Sequence, residues 1–209
     1  TMTITSSTVS SGGRTNTQAF ALTFTSSEAT TDFIADDITA TGCTLSSLSP
    51  SSSTVYTATC SVSSDGAASV SVAAGTFNDG PGNDNTVSNT YSWTYDTQSP
   101  TVTITSSASD PATSSTIAVT ITFSESTSNF VNGDITVGGG SSSLSGSGTT
   151  YTATLTPSAD GTITVDVAAG VATDAAGNSN TAATQFSIES DQADAPSITS
   201  TAVATGTED

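Results

Sequence analysis

The sequence contains no histidine, no lysine and a single arginine, Arg14, against 19 acidic residues, which gives a formal charge of −18 over 209 residues. Each absence closes a class of function. Without clustered Lys and Arg there is no groove to neutralise nucleic-acid phosphates and no patch to dock on anionic lipid. Without His there is no Ser-His or Cys-His nucleophile pair and no imidazole metal site. Without Lys there is no Schiff base, no P-loop and no Lys–Asn isopeptide staple. No apolar run approaches the ~18 residues of a membrane span. The opening Thr1-Met2-Thr3-Ile4-Thr5 lacks the basic and apolar regions of a signal peptide, so the chain reads as the excised middle of something longer.

What is abundant is small and polar: Ser and Thr make up roughly two residues in five, far above ordinary usage, and only 6% of residues are aromatic. One pattern recurs along the chain at roughly 95–100 residues. Met2-Thr3-Ile4-Thr5-Ser6-Ser7 returns as Val102-Thr103-Ile104-Thr105-Ser106-Ser107 and, shortened, as Ser197-Ile198-Thr199-Ser200. Asp37-Ile38-Thr39 returns as Asp134-Ile135-Thr136, and Tyr56-Thr57-Ala58-Thr59 as Tyr151-Thr152-Ala153-Thr154. Asp65-Gly66 matches Asp160-Gly161, and Val72-Ala73-Ala74-Gly75 matches Val167-Ala168-Ala169-Gly170. Asp79, Gly82, Asn83 and Asn85 fall on Asp174, Gly177, Asn178 and Asn180. The reading is two repeats, 1–96 and 97–191, with 192–209 as a linker and the first strand of a third.

Within each repeat apolar residues alternate with polar ones, the period of a half-buried strand and not of a helix. Phe20/Leu22/Phe24 and Ile117/Val119/Ile121/Phe123 form one strand, Tyr56/Ala58/Cys60/Val62 and Tyr151/Ala153/Leu155 another. Val70/Val72 and Ile163/Val165/Val167 form a third, and Tyr91/Trp93/Tyr95 and Phe186/Ile188 the last. About seven strands per repeat without a helix-length amphipathic segment predict an all-β chain of tandem immunoglobulin-like Greek-key β-sandwiches. Disorder is the competing expectation for acidic Ser/Thr-rich sequence, but disorder has no use for alternation kept in both copies.

The series Phe123-Ser124-Glu125, Asp134-Ile135-Thr136, Tyr151-Thr152-Ala153-Thr154, Ser158-Ala159-Asp160-Gly161, Val167-Ala168-Ala169-Gly170 and Asp174-Ala175-Ala176-Gly177-Asn178 resembles the bacterial Ig-like repeat of large surface adhesins of the biofilm-associated and RTX type. The linker Tyr95-Asp96-Thr97-Gln98-Ser99-Pro100 is similar to the Asp-Thr-x-x-Pro junction of that family. The resemblance implies a secreted or cell-surface, non-enzymatic extender module in a tandem array, acidic and commonly stiffened by calcium. Repeat one departs from the pattern in Thr25-Ser26-Ser27 before Glu28 and in its pair of cysteines.

Those cysteines, Cys43 and Cys60, have Gly140 and Leu155 at the matching positions of repeat two. They flank one turn-rich segment, so strands running antiparallel around it could bring them together. Outside the cell a bridge is the expectation; a reduced pair with Cys60 as core filler is the alternative. The spacing fits neither a redox C-x-x-C nor a zinc site.

In a sandwich of this topology, several strand-connecting loops gather at the pole where the chain comes in, here called the leading pole. In repeat two it would hold Glu125, Asp174 and Asn178, with Asn129, Asn132 and Asp134 as further candidates and Asp96 arriving from the linker. Calcium takes 6–8 oxygens from carboxylates, amides, backbone and water, and these residues could supply the charged part of such a set. Repeat one offers Glu28, Asp79 and Asn83, with Asp84 nearby; Asp191 and Asp194 would serve a third repeat. Each of these Asp and Asn residues could equally serve as a turn former. Gly80-Pro81-Gly82-Asn83-Asp84-Asn85 is a partial echo of a calcium-binding nonapeptide repeat, in one copy only.

Other features point away from catalysis. The adjacent acids Asp36-Asp37 read as a strand start rather than the separated carboxylate pair of a glycoside hydrolase. Gly138-Gly139-Gly140 with Ser141 to Ser143 reads as a flexible, solvated loop. Tyr91, Trp93 and Tyr95 could stack on a sugar if exposed, but share one face of a strand and read as core. The expectation is a spacer whose partners are neighbouring repeats of its own chain. The rivals are a module gripping a surface glycan or protein and a self-assembling surface-layer or filament component.

Overall fold

The computed structural model describes residues 1–192. Asp194 and Ser197 to Ser200, assigned above to a third repeat, lie outside the described residues. Repeat one contains β1 (Met2–Thr5), β2 (Arg14–Thr15), β3 (Ala19–Ser26), β4 (Ile38–Thr41), β5 (Thr44–Pro50), β6 (Val55–Ser61), β7 (Gly66–Val72) and β8 (Tyr91–Tyr95). Repeat two contains β9 (Val102–Ser106), β10 (Ile117–Thr127), β11 (Ile135–Gly138), β12 (Gly140–Pro157), β13 (Gly161–Val167) and β14 (Phe186–Ser190).

The strands of repeat one form two four-stranded sheets, ordered β1-β3-β6-β5 and β2-β8-β7-β4. Every pairing is antiparallel except β2 on β8. Repeat two repeats the arrangement as β9-β10-β12 and β11-β13-β14. Its counterpart of β2 shrinks to a parallel bridge between Ala112 and Ser190. This is the expected pair of immunoglobulin-like sandwiches, whose first strand crosses from one sheet to the other. Alternation drives it: on β3, Phe20, Leu22 and Phe24 face inward and Ala19, Ala21 and Thr25 outward, because a pleated strand sends successive side chains to opposite faces.

Each repeat has its own core. In the first, Phe20 meets Trp93 edge to face at 5.1 Å, and Phe33 packs on Tyr56 and Phe77 at 5.0 and 5.2 Å. In the second, Phe123, Phe130 and Tyr151 form a smaller aromatic cluster. Tyr91, Trp93 and Tyr95 are all buried, as their alternation predicts, and are therefore no platform for a sugar. Burying these rings with the surrounding Ile, Leu and Val side chains stabilises each sandwich at about 25 cal/mol per Å² of apolar surface. Cys43 and Cys60 are joined in a disulfide that ties the start of the β5 edge to β6.

Two readings of local sequence are corrected. Asp36 and Asp37 do not begin a strand; they lie in a 3-10 turn, Ala35–Asp37, where an Asp37 carboxylate oxygen accepts the Ile34 amide at 2.8 Å. The Gly138-Gly139-Gly140 run with its serines is not a flexible loop. Gly138 ends β11 and Gly140 opens β12, which doubles back on itself around Gly146 and Gly148. The reason is close approach: a Cβ on Gly140 would lie 2.5 Å from the Thr156 carbonyl oxygen.

Candidate metal centre at the inter-repeat junction

The junction is built from three segments. β8 ends at Tyr95, and the next residue, Asp96, stays tied to repeat one through its amide, which donates to the Thr15 carbonyl at 3.1 Å. Its Oδ1 accepts the Gln98 amide at 3.1 Å. The eleven-residue β10 carries Glu125 to the leading pole of repeat two. The loop between β13 and β14 supplies Asp174, which organises its own turn: Oδ1 accepts the amides of Ala176 and Asn178, both at 2.8 Å, and Oδ2 accepts the Asn178 side-chain amide at 2.9 Å. Gly177, at φ +94°, lets the turn close.

One carboxylate oxygen each from Asp96, Glu125 and Asp174 lies within 4.8 Å of the other two. That span is what one calcium ion allows, since two oxygens each at about 2.4 Å from it can be no more than about 5 Å apart. Asp96 and Asp174 are 9% and 7% exposed. Burial and the charges of Asp174 and Asp96 raise the Glu125 pKa, opposed by the charge of Arg14. The all-oxygen donor set fits a hard cation and offers nothing to a soft one.

The two repeats also touch directly. The Asn178 side-chain amide donates to the Asp96 carbonyl at 2.9 Å, and the Asn16 side-chain amide donates to Asn178 Oδ1 at 3.2 Å. The Asn16 backbone amide reaches the Ala176 carbonyl at 3.1 Å. Arg14, the sole base of the sequence, pairs its Nη1 with Asp96 Oδ2 at 3.2 Å.

The other candidates are placed elsewhere. Asn129 Oδ1 braces the Thr173 amide, Asn132 Oδ1 accepts the Ser142 hydroxyl, and Asp134 closes a 3-10 turn on the Val131 amide. At the leading pole of repeat one, Asp79 binds the Asn83 amide and side chain as Asp174 binds Asn178, and these bonds lower the Asp79 pKa. Glu28, Asp79, Asn83 and Asp84 border a hollow of about 280 Å³, but their three carboxylates do not converge: among the described residues only Asp96, Glu125 and Asp174 bring one oxygen each within 4.8 Å of the others. Asp191 donates its amide to Ala112 at the far end of repeat two. Sequence reading gave no junction role to Arg14 or Asn16; Arg14 carries only the signal of being the lone base, and Asn16 is one of two side-chain amides, with Gln18, before β3.

A family described as the bacterial Ig-like domain matches the chain twice, over residues 1–95 and 96–190. The chain belongs to this family. A comparison with curated proteins finds no match. Solved structures similar to these bacterial Ig-like domains include Yersinia pseudotuberculosis InvD, at 15% identity over 97% of this chain and 60% of that one, with a TM-score of 0.48. The Escherichia coli adhesin FdeC follows at 16% identity over 91% and 63%, with a TM-score of 0.47. The Yersinia pseudotuberculosis adhesin InvE has 16% identity over 90% and 58%, with a TM-score of 0.32. The chain thus spans less than two thirds of each of these solved chains. Among the described residues no helix is long and apolar enough to cross a membrane.

Proposed function

We propose that the two bacterial Ig-like domains are a non-enzymatic extracellular spacer of a cell-surface adhesin, stiffened by calcium where one repeat meets the next. The observation that supports this most is the convergence of Asp96, Glu125 and Asp174, from the linker, a strand and a loop, within 4.8 Å at the boundary. Asp174 and Asn178 do build a turn, as their residue types alone suggest. A turn has no need of Glu125 or Asp96, and three carboxylates held this close repel one another, with the single charge of Arg14 on Asp96 set against three; a divalent cation among them would relieve that repulsion. The ion would be held by these three side chains, and its chemistry would be charge neutralisation and oxygen coordination, with no reaction.

The consequence is mechanical. Asp96 belongs to repeat one through its backbone and Glu125 and Asp174 to repeat two, so a shared ion links two bodies otherwise joined by a short linker and a few hydrogen bonds. Thermal unfolding in EDTA, in millimolar calcium and in millimolar magnesium tests this. A ligand bound only by the folded state stabilises it by RT ln(1 + [L]/Kd). A calcium-specific rise that Glu125→Gln abolishes is expected, and this variant leaves the Asp174 turn intact. Identical curves in all three buffers would refute the calcium site.

A second reading, a module that itself binds a neutral glycan, draws on a groove of about 770 Å³ in repeat one floored by Phe33, Leu48, Pro50 and Tyr56 and rimmed by Ser and Thr. Glycan-array binding lost on Leu48→Glu would favour it over the spacer.

A further inference from the structure

The two repeats end differently. The Thr15 carbonyl accepts the Asp96 amide at 3.1 Å in repeat one, and the Ala112 carbonyl accepts the Asp191 amide at 2.9 Å in repeat two, which makes Thr15 and Ala112 equivalent. Asp65 meanwhile accepts the amide of Thr97, and Asp160 that of Gln192, so the two linkers start alike. Against this matched frame Arg14 falls on Pro111, and Asn16 falls on Thr113. The acid that would enter a junction is kept at both ends, as Asp96 and Asp191. The base that pairs with the junction acid and the amide that reaches the following repeat, Arg14 and Asn16, occur only at the end of repeat one.

The placement of Arg14 is specific. It sits on the two-residue strand β2, which pairs in parallel with Thr94 and Tyr95 of β8, so its backbone is fixed beside the chain that runs into Asp96. Its half-exposed guanidinium reaches Asp96 Oδ2 at 3.2 Å, and the Asp96 carboxylate in turn lies within 4.8 Å of those of Glu125 and Asp174 in the next repeat. A single positive charge has thus been placed beside three carboxylates in a chain whose other charged side chains are all acidic.

We propose that Arg14 is the resident counter-cation of this junction: it couples the two repeats when no metal ion is bound and competes with one for Asp96. Its second half rests on the calcium reading above; its first half does not. Arg14 then makes this junction less dependent on calcium than one built on the Pro111 edge, and calcium binding must displace or share the Asp96 carboxylate.

The experiment compares the wild-type chain with Arg14→Gln and Arg14→Lys, using NMR relaxation to obtain the tumbling time of each repeat in EDTA, and calorimetric titration with calcium chloride. In EDTA, Arg14→Gln is expected to shorten both tumbling times towards those of independently moving repeats while amide shifts in each core stay unchanged, and Arg14→Lys to restore much of the coupling. With calcium, Arg14→Gln is expected to bind roughly fivefold more tightly, because a like charge has left the neighbourhood of the ion. Unchanged tumbling in EDTA, or calcium affinity equal to or below that of wild type, would overturn the proposal. If neither protein binds calcium, the calcium reading falls, and the EDTA tumbling times still decide whether Arg14 couples the repeats.

Discussion

The leading poles of the two repeats carry the same three side chains in different surroundings. Glu28 and Asn83 are exposed and Asp79 is half-buried, whereas Glu125 is half-buried and Asp174 and Asn178 are buried. The asparagine clasp is shared, since Asp79 and Asp174 hold their partner asparagines through the same bonds, while Asp174 alone also accepts the Ala176 amide, where repeat one has Pro81 with no N–H to give. What differs is the presence of repeat one against the second pole, bringing Asn16 to Asn178 and Asp96 to Glu125 and Asp174. A turn built by one repeat becomes a candidate ion site only when the neighbouring repeat covers it and adds a carboxylate.

The largest expected effect separates the repeats by their staples. Replacing the bridge with Cys43→Ser and Cys60→Ala should destabilise repeat one by about 3 kcal/mol, since it reopens a loop of 17 residues' separation in the unfolded chain. Repeat two should not respond. Denaturant unfolding followed by Trp93 for repeat one and by amide exchange for repeat two measures both, and a shared loss would mean that the repeats unfold as one cooperative unit.

A smaller effect probes what the poles share. Asn85 and Asn180 are each buried, and each side chain ties its loop to the backbone on both sides, at Thr76, Phe77, Ala73 and Thr86 in one repeat and at Ala172, Ala168 and Thr181 in the other. Asn85→Ala and Asn180→Ala should each cost about 1–3 kcal/mol, because backbone groups lose their partner. If the poles differ only in their covering, calcium should offset part of the loss in Asn180→Ala and none in Asn85→Ala. Equal rescue of both variants would place the ion elsewhere.

The smallest effect concerns the linker. Hydrogen bonds from Gln98 and Thr97 lower the Asp65 pKa from 3.8. A depressed carboxylate contributes its stabilisation above the unfolded value and loses it as pH falls through the folded one. The hold of Asp65 on Thr97 and Gln98 should therefore persist at neutral pH and loosen only below pH 3.8. Asp65→Asn should loosen the linker at pH 7 while barely moving thermal stability, and a carboxyl titration by NMR that finds Asp65 at or above its ordinary value would contradict this.

How much could be read beforehand follows from which signals are local. The inward faces of β3, β10, β6 and β13 were legible because alternation is written into consecutive residues. The acids of the junction were legible because the two repeats align and the sandwich topology brings their loops to one pole. The role of Arg14 was not: a two-residue strand shows no periodicity, and its partner Asp96 is distant in sequence. The glycine run 138–140 was misread because glycine marks flexibility and close packing alike, and only the neighbouring Thr156 carbonyl tells them apart. Asp36-Asp37 reads as a strand start in sequence because a 3-10 turn followed by a strand leaves no separate pattern of its own.

The most direct measurement is a calcium titration of the intact chain followed by amide chemical shifts, with magnesium in parallel. The account expects saturable, calcium-specific shifts concentrated around Asp96, Glu125, Asp174 and Asn178, with little change at the solvent-facing acids Asp36 and Asp84. Shifts spread evenly over exposed carboxylates, or none at the junction, would show that Asp174 and Asn178 are turn formers alone and that the repeats are joined without a metal ion.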